Sequence, residues 1–99
     1  MINWLTDYIG TGAYLDVMAA GGDVAVVDVR NLVDKDGNTG EAILSKIDES
    51  IAILKKHGKV VVCCDYGMSR SNSIAAGVIS KYESIPFSKA VSMVQQKTS

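Results

Sequence analysis

The spacing of hydrophobic and polar positions changes several times along the chain, and each change marks a predicted element. Apolar residues recur at three- and four-residue steps from Glu41 to His57, which is the period of one helix face, and Gly58 ends that stretch. Two nearly continuous apolar runs, at 24–29 and 59–63, are typical of buried parallel strands. Weaker patterns predict a strand at 2–9 that ends at Gly10, and helices at 11–20, 71–82 and 87–96.

Strands that alternate with helices predict an α/β fold. We expect a small central parallel sheet of about four strands, flanked by helices on both faces. In such sheets the functional residues gather at the carboxyl ends of the strands, and Cys64 directly follows the second apolar run. The length of 99 residues, 47% of them hydrophobic, predicts a single domain over residues 1–99.

Composition and charge narrow the range of partners. A net charge of −1 and an isoelectric point near 5.7 argue against a nucleic-acid partner, which requires a basic surface. No apolar run has the length of a membrane span and no secretory signal is visible, so we expect no membrane partner. The two cysteines, Cys63 and Cys64, are adjacent and cannot form a disulfide framework, which favours a reducing, cytoplasmic setting. We expect a monomer.

The segment from 60 to 71, VVVCCDYGMSRS, has the layout of an anion-binding loop. An apolar strand leads to Cys64, where the backbone N–H groups of a strand-to-helix turn can lower the pKa of a thiol and bind a phosphate dianion. Gly67 permits backbone angles that a side chain would penalise, and the planar fork of Arg70 can bind two phosphoryl oxygens. Ser71 would place its hydroxyl near the sulfur. A buried structural cysteine is the alternative, but these four positions occur together on one strand-loop-helix unit.

The sequence CDYGMSRS, residues 64–71, resembles the signature of the cysteine-based protein tyrosine phosphatases. Its Gly-x-Ser-Arg-Ser ending resembles the dual-specificity branch, and SIPFSKAV at 84–91 is similar to a turn and helix downstream in that branch. The likeness covers the C-terminal part of the chain well and the rest loosely, as for a compact member with a phosphatase-like fold.

The resemblance implies a protein phosphatase that needs no metal and no cofactor. Cys64 would attack phosphorus to form a cysteinyl-phosphate, and Ser71 would stabilise the departing thiolate. The expected partner is a phosphorylated protein or peptide, with phosphotyrosine preferred and phosphoserine or phosphothreonine accepted if the pocket is shallow. The implied phosphate-binding loop consists of Asp65, Tyr66, Gly67, Met68, Ser69 and Arg70.

The resemblance also implies a general acid for the leaving oxygen, on a loop before a long helix. Asp34 matches that placement best, and Asp36 is the alternative, because a shift of two residues would exchange them. Asp28 lies within a predicted strand and is expected to be a structural hydrogen-bond acceptor near the site.

Cys63 departs from the family pattern, which usually has histidine before the nucleophile. This predicts slower turnover or a more alkaline pH optimum, and a catalytically weak, phosphate-binding pseudophosphatase is one alternative function. The adjacency of the thiols also raises the hypothesis that Cys63 protects Cys64 from oxidation. A second alternative is a rhodanese-like sulfurtransferase, because VDVR at 27–30 resembles an early strand motif of that family.

Overall fold

The computed structural model describes residues 2–19, 25–29, 40–64 and 69–98, with the backbone alone at 40, 69 and 70. Strands and helices alternate through most of these ranges. The strands are β1 (Asn3–Trp4), β2 (Ile9–Ala13), β3 (Val26–Asp28) and β4 (Val60–Cys64). The helices are α1 (Tyr14–Ala19), α2 (Gly40–His57), α3 (Ser69–Glu83) and α4 (Phe87–Thr98). Within this part of the chain, no helix combines the length and apolar character needed to cross a bilayer.

The four strands form one sheet in the order β1-β2-β4-β3. Strands β2, β4 and β3 run parallel, and β1 runs antiparallel to β2. The predicted α/β fold with four strands is therefore confirmed, although the sheet is mixed rather than wholly parallel. The reversal between β1 and β2 occurs in a tight turn, in which the Thr6 hydroxyl accepts hydrogen bonds from the backbone N–H groups of Tyr8 and Ile9.

The beginning of the chain differs most from the prediction. Gly10 does not end a strand, and Thr11 does not start a helix, because both lie inside β2. A Cβ atom at Gly10 would lie 2.9 Å from Ile2 Cγ2 and 3.1 Å from the Asn3 carbonyl oxygen, so glycine here allows β1 to approach. Helix α1 has six residues and buries only Val17, whereas the predicted amphipathic helix was longer.

Helix α2 follows the predicted bounds closely. Ile47 and Leu54 are buried as the spacing predicted, but Leu44 is exposed. Gly58 ends the helix with a positive φ of 83°, and its N–H donates to the Leu54 carbonyl oxygen at 2.8 Å. This αL position explains why glycine stands there.

Helices cover both faces of the sheet, as predicted. The main core joins α2, α3 and α4 to one face, and it includes Cys64. A smaller cluster on the other face contains Val17 of α1 together with Val61 and Cys63. The two neighbouring cysteines therefore belong to different cores, because successive side chains of a strand point to opposite faces.

Helices α3 and α4 form a hairpin on the main-core side. The Ile85 N–H donates to the Ser80 carbonyl oxygen at 3.1 Å, and the Ser80 hydroxyl donates to the Ile85 carbonyl oxygen at 2.7 Å. The Pro86 carbonyl oxygen then accepts the first hydrogen bonds of α4, so Pro86 precedes the helix as predicted. Helix α4 also places Ala90 and Val94 in the main core, where they cover α3.

Candidate active site

The junction of β4 and α3 holds the predicted nucleophile Cys64 and the predicted phosphate-binding loop. Cys64 is the last residue of β4, and α3 begins at Ser69, two residues earlier than predicted. Arg70 lies in the first turn of α3. The predicted loop residues Asp65, Tyr66, Gly67 and Met68 lie outside the described residues, as do the side chains of Ser69 and Arg70.

Cys64 and Ser71 are in direct contact. The Cys64 Sγ and Ser71 Oγ atoms are 3.6 Å apart, within the range of a sulfur hydrogen bond. Both side chains are buried, with exposed fractions of 2% and 0%. As a thiol, Cys64 donates to the serine oxygen, whereas a thiolate can only accept from the serine O–H. The contact can therefore form in both protonation states of the sulfur. It lies at the amino-terminal end of α3, where a negative charge is favoured.

Cys63 occupies the other side of β4. Its side chain is fully buried with Val17 and Val61, and its carbonyl oxygen accepts a hydrogen bond from the Val29 N–H at 2.8 Å. Cys63 precedes Cys64 in sequence but faces α1, as the alternation of side chains along a strand predicts. Any influence of Cys63 on the loop must therefore pass through the backbone of β4 or through the opposite face.

The predicted acids are only partly described. Asp28 ends β3 and is in register with Cys63, and it is half-buried. The alternation along β3 places it on the α1 face, on the opposite side of the sheet from the Cys64 side chain. Asp34 and Asp36 lie outside the described residues. Among the residues that are described, no group of three or more His, Cys, Asp and Glu side chains could hold a metal ion.

Asn72 is a polar residue for which the sequence predicted no role. It follows Ser71 in the first turn of α3, it is half-buried, and its Oδ1 atom is buried with no hydrogen-bond partner in the described structure. In the sequence, only its position directly after Ser71 points to a place near the candidate site. The burial of its amide oxygen is a property of the folded structure that the sequence does not display.

Solved phosphatase structures match nearly the whole chain. A leucine rich repeat and phosphatase domain containing protein from Entamoeba histolytica matches with a TM-score of 0.80 and 15% identity, over 98% of this chain and 78% of its own. Human DUSP28 matches with a TM-score of 0.76 and 15% identity, over 99% of this chain and 83% of its own. The PTP-2 phosphatase of Cydia pomonella matches with a TM-score of 0.72 and 20% identity, over 98% and 80% respectively.

No protein-family model and no curated protein matches the sequence. The structural matches therefore rest on similarity of the backbone, and at 15% to 20% sequence identity they show the fold alone. The resemblance to the cysteine-based phosphatases that the 64–71 motif indicated is confirmed at that level. The chain has the fold of the tyrosine and dual-specificity phosphatases.

Proposed function

We propose that the chain is a protein phosphatase that hydrolyses phosphate monoesters through a cysteinyl-phosphate intermediate. The observation that carries the proposal is the contact of 3.6 Å between Cys64 Sγ and Ser71 Oγ, at the carboxyl end of a central parallel strand. A thiol there, at a strand end and in contact with a hydroxyl of the first turn of α3, has the surroundings of a nucleophile. The fold that the chain shares with known phosphatases also supports a phosphatase function.

The proposed reaction has two displacements at phosphorus. In the first, the Cys64 thiolate forms the S–P bond while the ester P–O bond breaks, and Asp34 donates its proton to the leaving oxygen. In the second, the Asp34 carboxylate takes a proton from water, the water oxygen bonds to phosphorus, and the S–P bond breaks. The Ser71 O–H then donates a hydrogen bond to the released thiolate. Arg70 and the backbone N–H groups of residues 65–70 hold the phosphoryl oxygens throughout.

Phosphotyrosine in a protein or peptide is the proposed substrate class. The loop has Asp65, Tyr66 and Met68 where a site for highly anionic substrates would be expected to carry lysines. A single dianionic phosphate, neutralised by Arg70 and the loop amides, fits this charge balance better than a polyphosphorylated ligand.

Hydrolysis of p-nitrophenyl phosphate and of a phosphotyrosine peptide tests the proposal. We expect Cys64→Ser and Arg70→Ala to abolish hydrolysis, and Asp34→Asn to lower it by about 10²- to 10⁴-fold. Cys63→Ala is the matched control for the cysteine and Asp36→Asn for the acid. Hydrolysis that survives in Cys64→Ser would overturn the proposal, and a greater loss in Asp36→Asn than in Asp34→Asn would reassign the acid.

The two alternative functions give different results in the same samples. A sulfurtransferase would form thiocyanate from thiosulfate and cyanide and would leave p-nitrophenyl phosphate intact. A pseudophosphatase would bind the phosphotyrosine peptide and release no phosphate at any pH. We expect phosphate release and no thiocyanate.

Cys63 is proposed to slow turnover or to move the pH optimum to more alkaline values. Cys63→His tests this, and the acid limb of the pH profile should then move to lower pH. Because Cys63 is fully buried beside Val17, the substitution needs space, and Val17→Ala in the same chain supplies it. An unchanged acid limb in the doubly substituted, folded protein would contradict the proposed role.

A further inference from the structure

Tyr14 lies at the same edge of the sheet as the proposed nucleophile. It is the first residue of α1 and directly follows Ala13, the last residue of β2. Ala13 is in register with Cys64 across the parallel pair of β2 and β4. Neighbouring strands are about 4.8 Å apart and consecutive Cα atoms about 3.8 Å apart, so the Cα atoms of Tyr14 and Cys64 lie within about 10 Å of each other.

The direction of the Tyr14 side chain follows from the geometry of α1. Val17, which comes one turn later, is buried against the sheet with Val61 and Cys63. Residues three apart share one face of a helix, so Tyr14 is on the side of α1 that faces the sheet. The Cα–Cβ bonds of a helix tilt toward its amino-terminal end, which for α1 is the carboxyl edge of the sheet. The Tyr14 side chain is therefore directed past the edge at which Cys64 lies.

The sheet does not separate Tyr14 from a ligand at Cys64. Helix α1 and the Cys64 side chain lie on opposite faces, but Cys64 is the last residue of β4, and β2 ends before Tyr14. Asp28 differs in this respect, because it lies within β3 and is level with Cys63. Beyond the ends of the strands, groups from the two faces can meet across the edge of the sheet.

The chemistry of Tyr14 suits an aryl ester. Tyr14 is half-buried, so part of its ring is accessible. In an in-line displacement the ester oxygen points away from the attacking sulfur, so the aryl group of a bound phosphotyrosine lies outside the phosphate-binding loop. Aromatic rings pair at centroid distances of about 4.5 to 7 Å, and the two side chains can reach this separation from backbones that are this close.

We propose that Tyr14 is a specificity-determining residue whose ring packs against the aryl group of a phosphotyrosine bound at Cys64. A phosphoserine or phosphothreonine has no ring and gains nothing from this contact. The inference rests on the proposed function, because it takes Cys64 as the phosphate position. It assigns the preference for phosphotyrosine to a residue outside the phosphate-binding loop.

The test compares two ligands in one protein, so that a general loss of phosphate binding cancels. Fluorescent phosphotyrosine and phosphoserine peptides of otherwise identical sequence are titrated against the full chain with Cys64→Ser, which makes the readout independent of turnover. We expect the phosphotyrosine peptide to bind more tightly, and Tyr14→Leu to lower its advantage by about two- to tenfold. Tyr14→Phe keeps the ring and should keep most of the advantage.

Tyr82→Leu is the matched control. Tyr82 is an exposed tyrosine in the last turn of α3, about 16 Å along the helix axis from Ser71, and its ring lies against that of Tyr8 before the start of β2. The ratio of the two affinities should not change in this variant. A direct measurement is an intermolecular NOE between the ring protons of Tyr14 and those of the phosphotyrosine, which should be present in the parent and absent in Tyr14→Leu.

Several results would overturn the role of Tyr14. It fails if the parent binds both peptides equally, or if the ratio is the same in Tyr14→Leu as in the parent. It also fails if Tyr66→Leu alone removes the preference, since the ring contact would then come from the phosphate-binding loop, or if Tyr82→Leu lowers the ratio as much as Tyr14→Leu does. The proposed function is judged separately, by hydrolysis of p-nitrophenyl phosphate in the unsubstituted chain, which can persist whether or not Tyr14 contributes.

Discussion

Replacing Ser71 with alanine removes the hydroxyl that lies 3.6 Å from the Cys64 sulfur. Both residues are buried, so water does not readily take the place of the lost group. The thiol form loses an acceptor for its S–H, and the thiolate form loses a donor. Because a charged partner gains more from a hydrogen bond than a neutral one, the thiolate loses more stabilisation than the thiol.

The size of the effect follows from this difference. A neutral hydrogen bond contributes about 1 kcal/mol, and one to a charged group about 1.5 to 3 kcal/mol. The thiolate is therefore disfavoured by roughly 0.5 to 2 kcal/mol relative to the thiol. At about 1.4 kcal/mol per pKa unit, Ser71→Ala should raise the pKa of the Cys64 thiol by roughly 0.4 to 1.4.

The ultraviolet absorbance of the thiolate, followed against pH, measures this change directly. A Cys63→Ala background leaves Cys64 as the single thiol in the chain. Ser45→Ala is the matched control, because Ser45 is an exposed helical serine on α2. The rate of iodoacetamide alkylation against pH provides a second reading of the same ionisation.

An unmoved titration midpoint in Ser71→Ala, with the fold intact by circular dichroism, would contradict this prediction. It would mean that the hydroxyl does not bond to the thiolate. A midpoint that moves to lower pH would be a stronger contradiction, since the serine would then favour the thiol.

Four further predictions concern stability. Gly77→Ala should destabilise the protein, because the new Cβ would lie 2.9 Å from Ile47 Cγ1 and closer still to its Cδ1. This clash outweighs a gain of about 0.5 to 1 kcal/mol in helix propensity. In an Ile47→Ala background the same change should stabilise the protein, and chemical denaturation measures both effects. Thr11→Val should raise the free energy of unfolding by about 1 kcal/mol, because the buried Thr11 hydroxyl has no partner among the described residues. Thr6→Val, which removes two hydrogen bonds in the turn, should lower it. Burial raises the pKa of Tyr8 above its ordinary value of 10.0, and the hydrogen bond to the Glu83 carboxylate raises it further. Above pH 10 the folded chain therefore keeps a proton that the unfolded chain releases. The free energy of unfolding should fall as pH rises above about 10, and it should fall less steeply in Tyr8→Phe.

The long elements could be predicted from the sequence because their signals are local. Helix α2 has a sustained period and a glycine stop, and β4 is a continuous apolar run, so their bounds agree with prediction to within one residue. The position of Cys64 at a strand end and of Ser71 in the first helical turn follows from the same local signals.

The first part of the chain could not be predicted because its structure depends on contacts between elements. Gly10 and Gly12 interrupt the apolar pattern, yet they lie in a buried strand. The reason at Gly10 is the approach of Ile2 and Asn3, which the sequence around Gly10 does not contain. Predictions for Asp34 and Asp36 stay predictions.

The division of the two sulfurs between opposite faces of β4 has a mechanical consequence. Cys63 is held in register with Gly12 on one side and Asp28 on the other, and Cys64 with Ala13. The backbone of the strand thus separates one thiol from the other, and a covalent bond between them would require the carboxyl end of β4 to lose its pairing with β2 and β3. In the folded chain Cys63 is therefore badly placed to protect Cys64 by forming a disulfide with it. A disulfide between the two would indicate that this end of the sheet had lost its strand pairing.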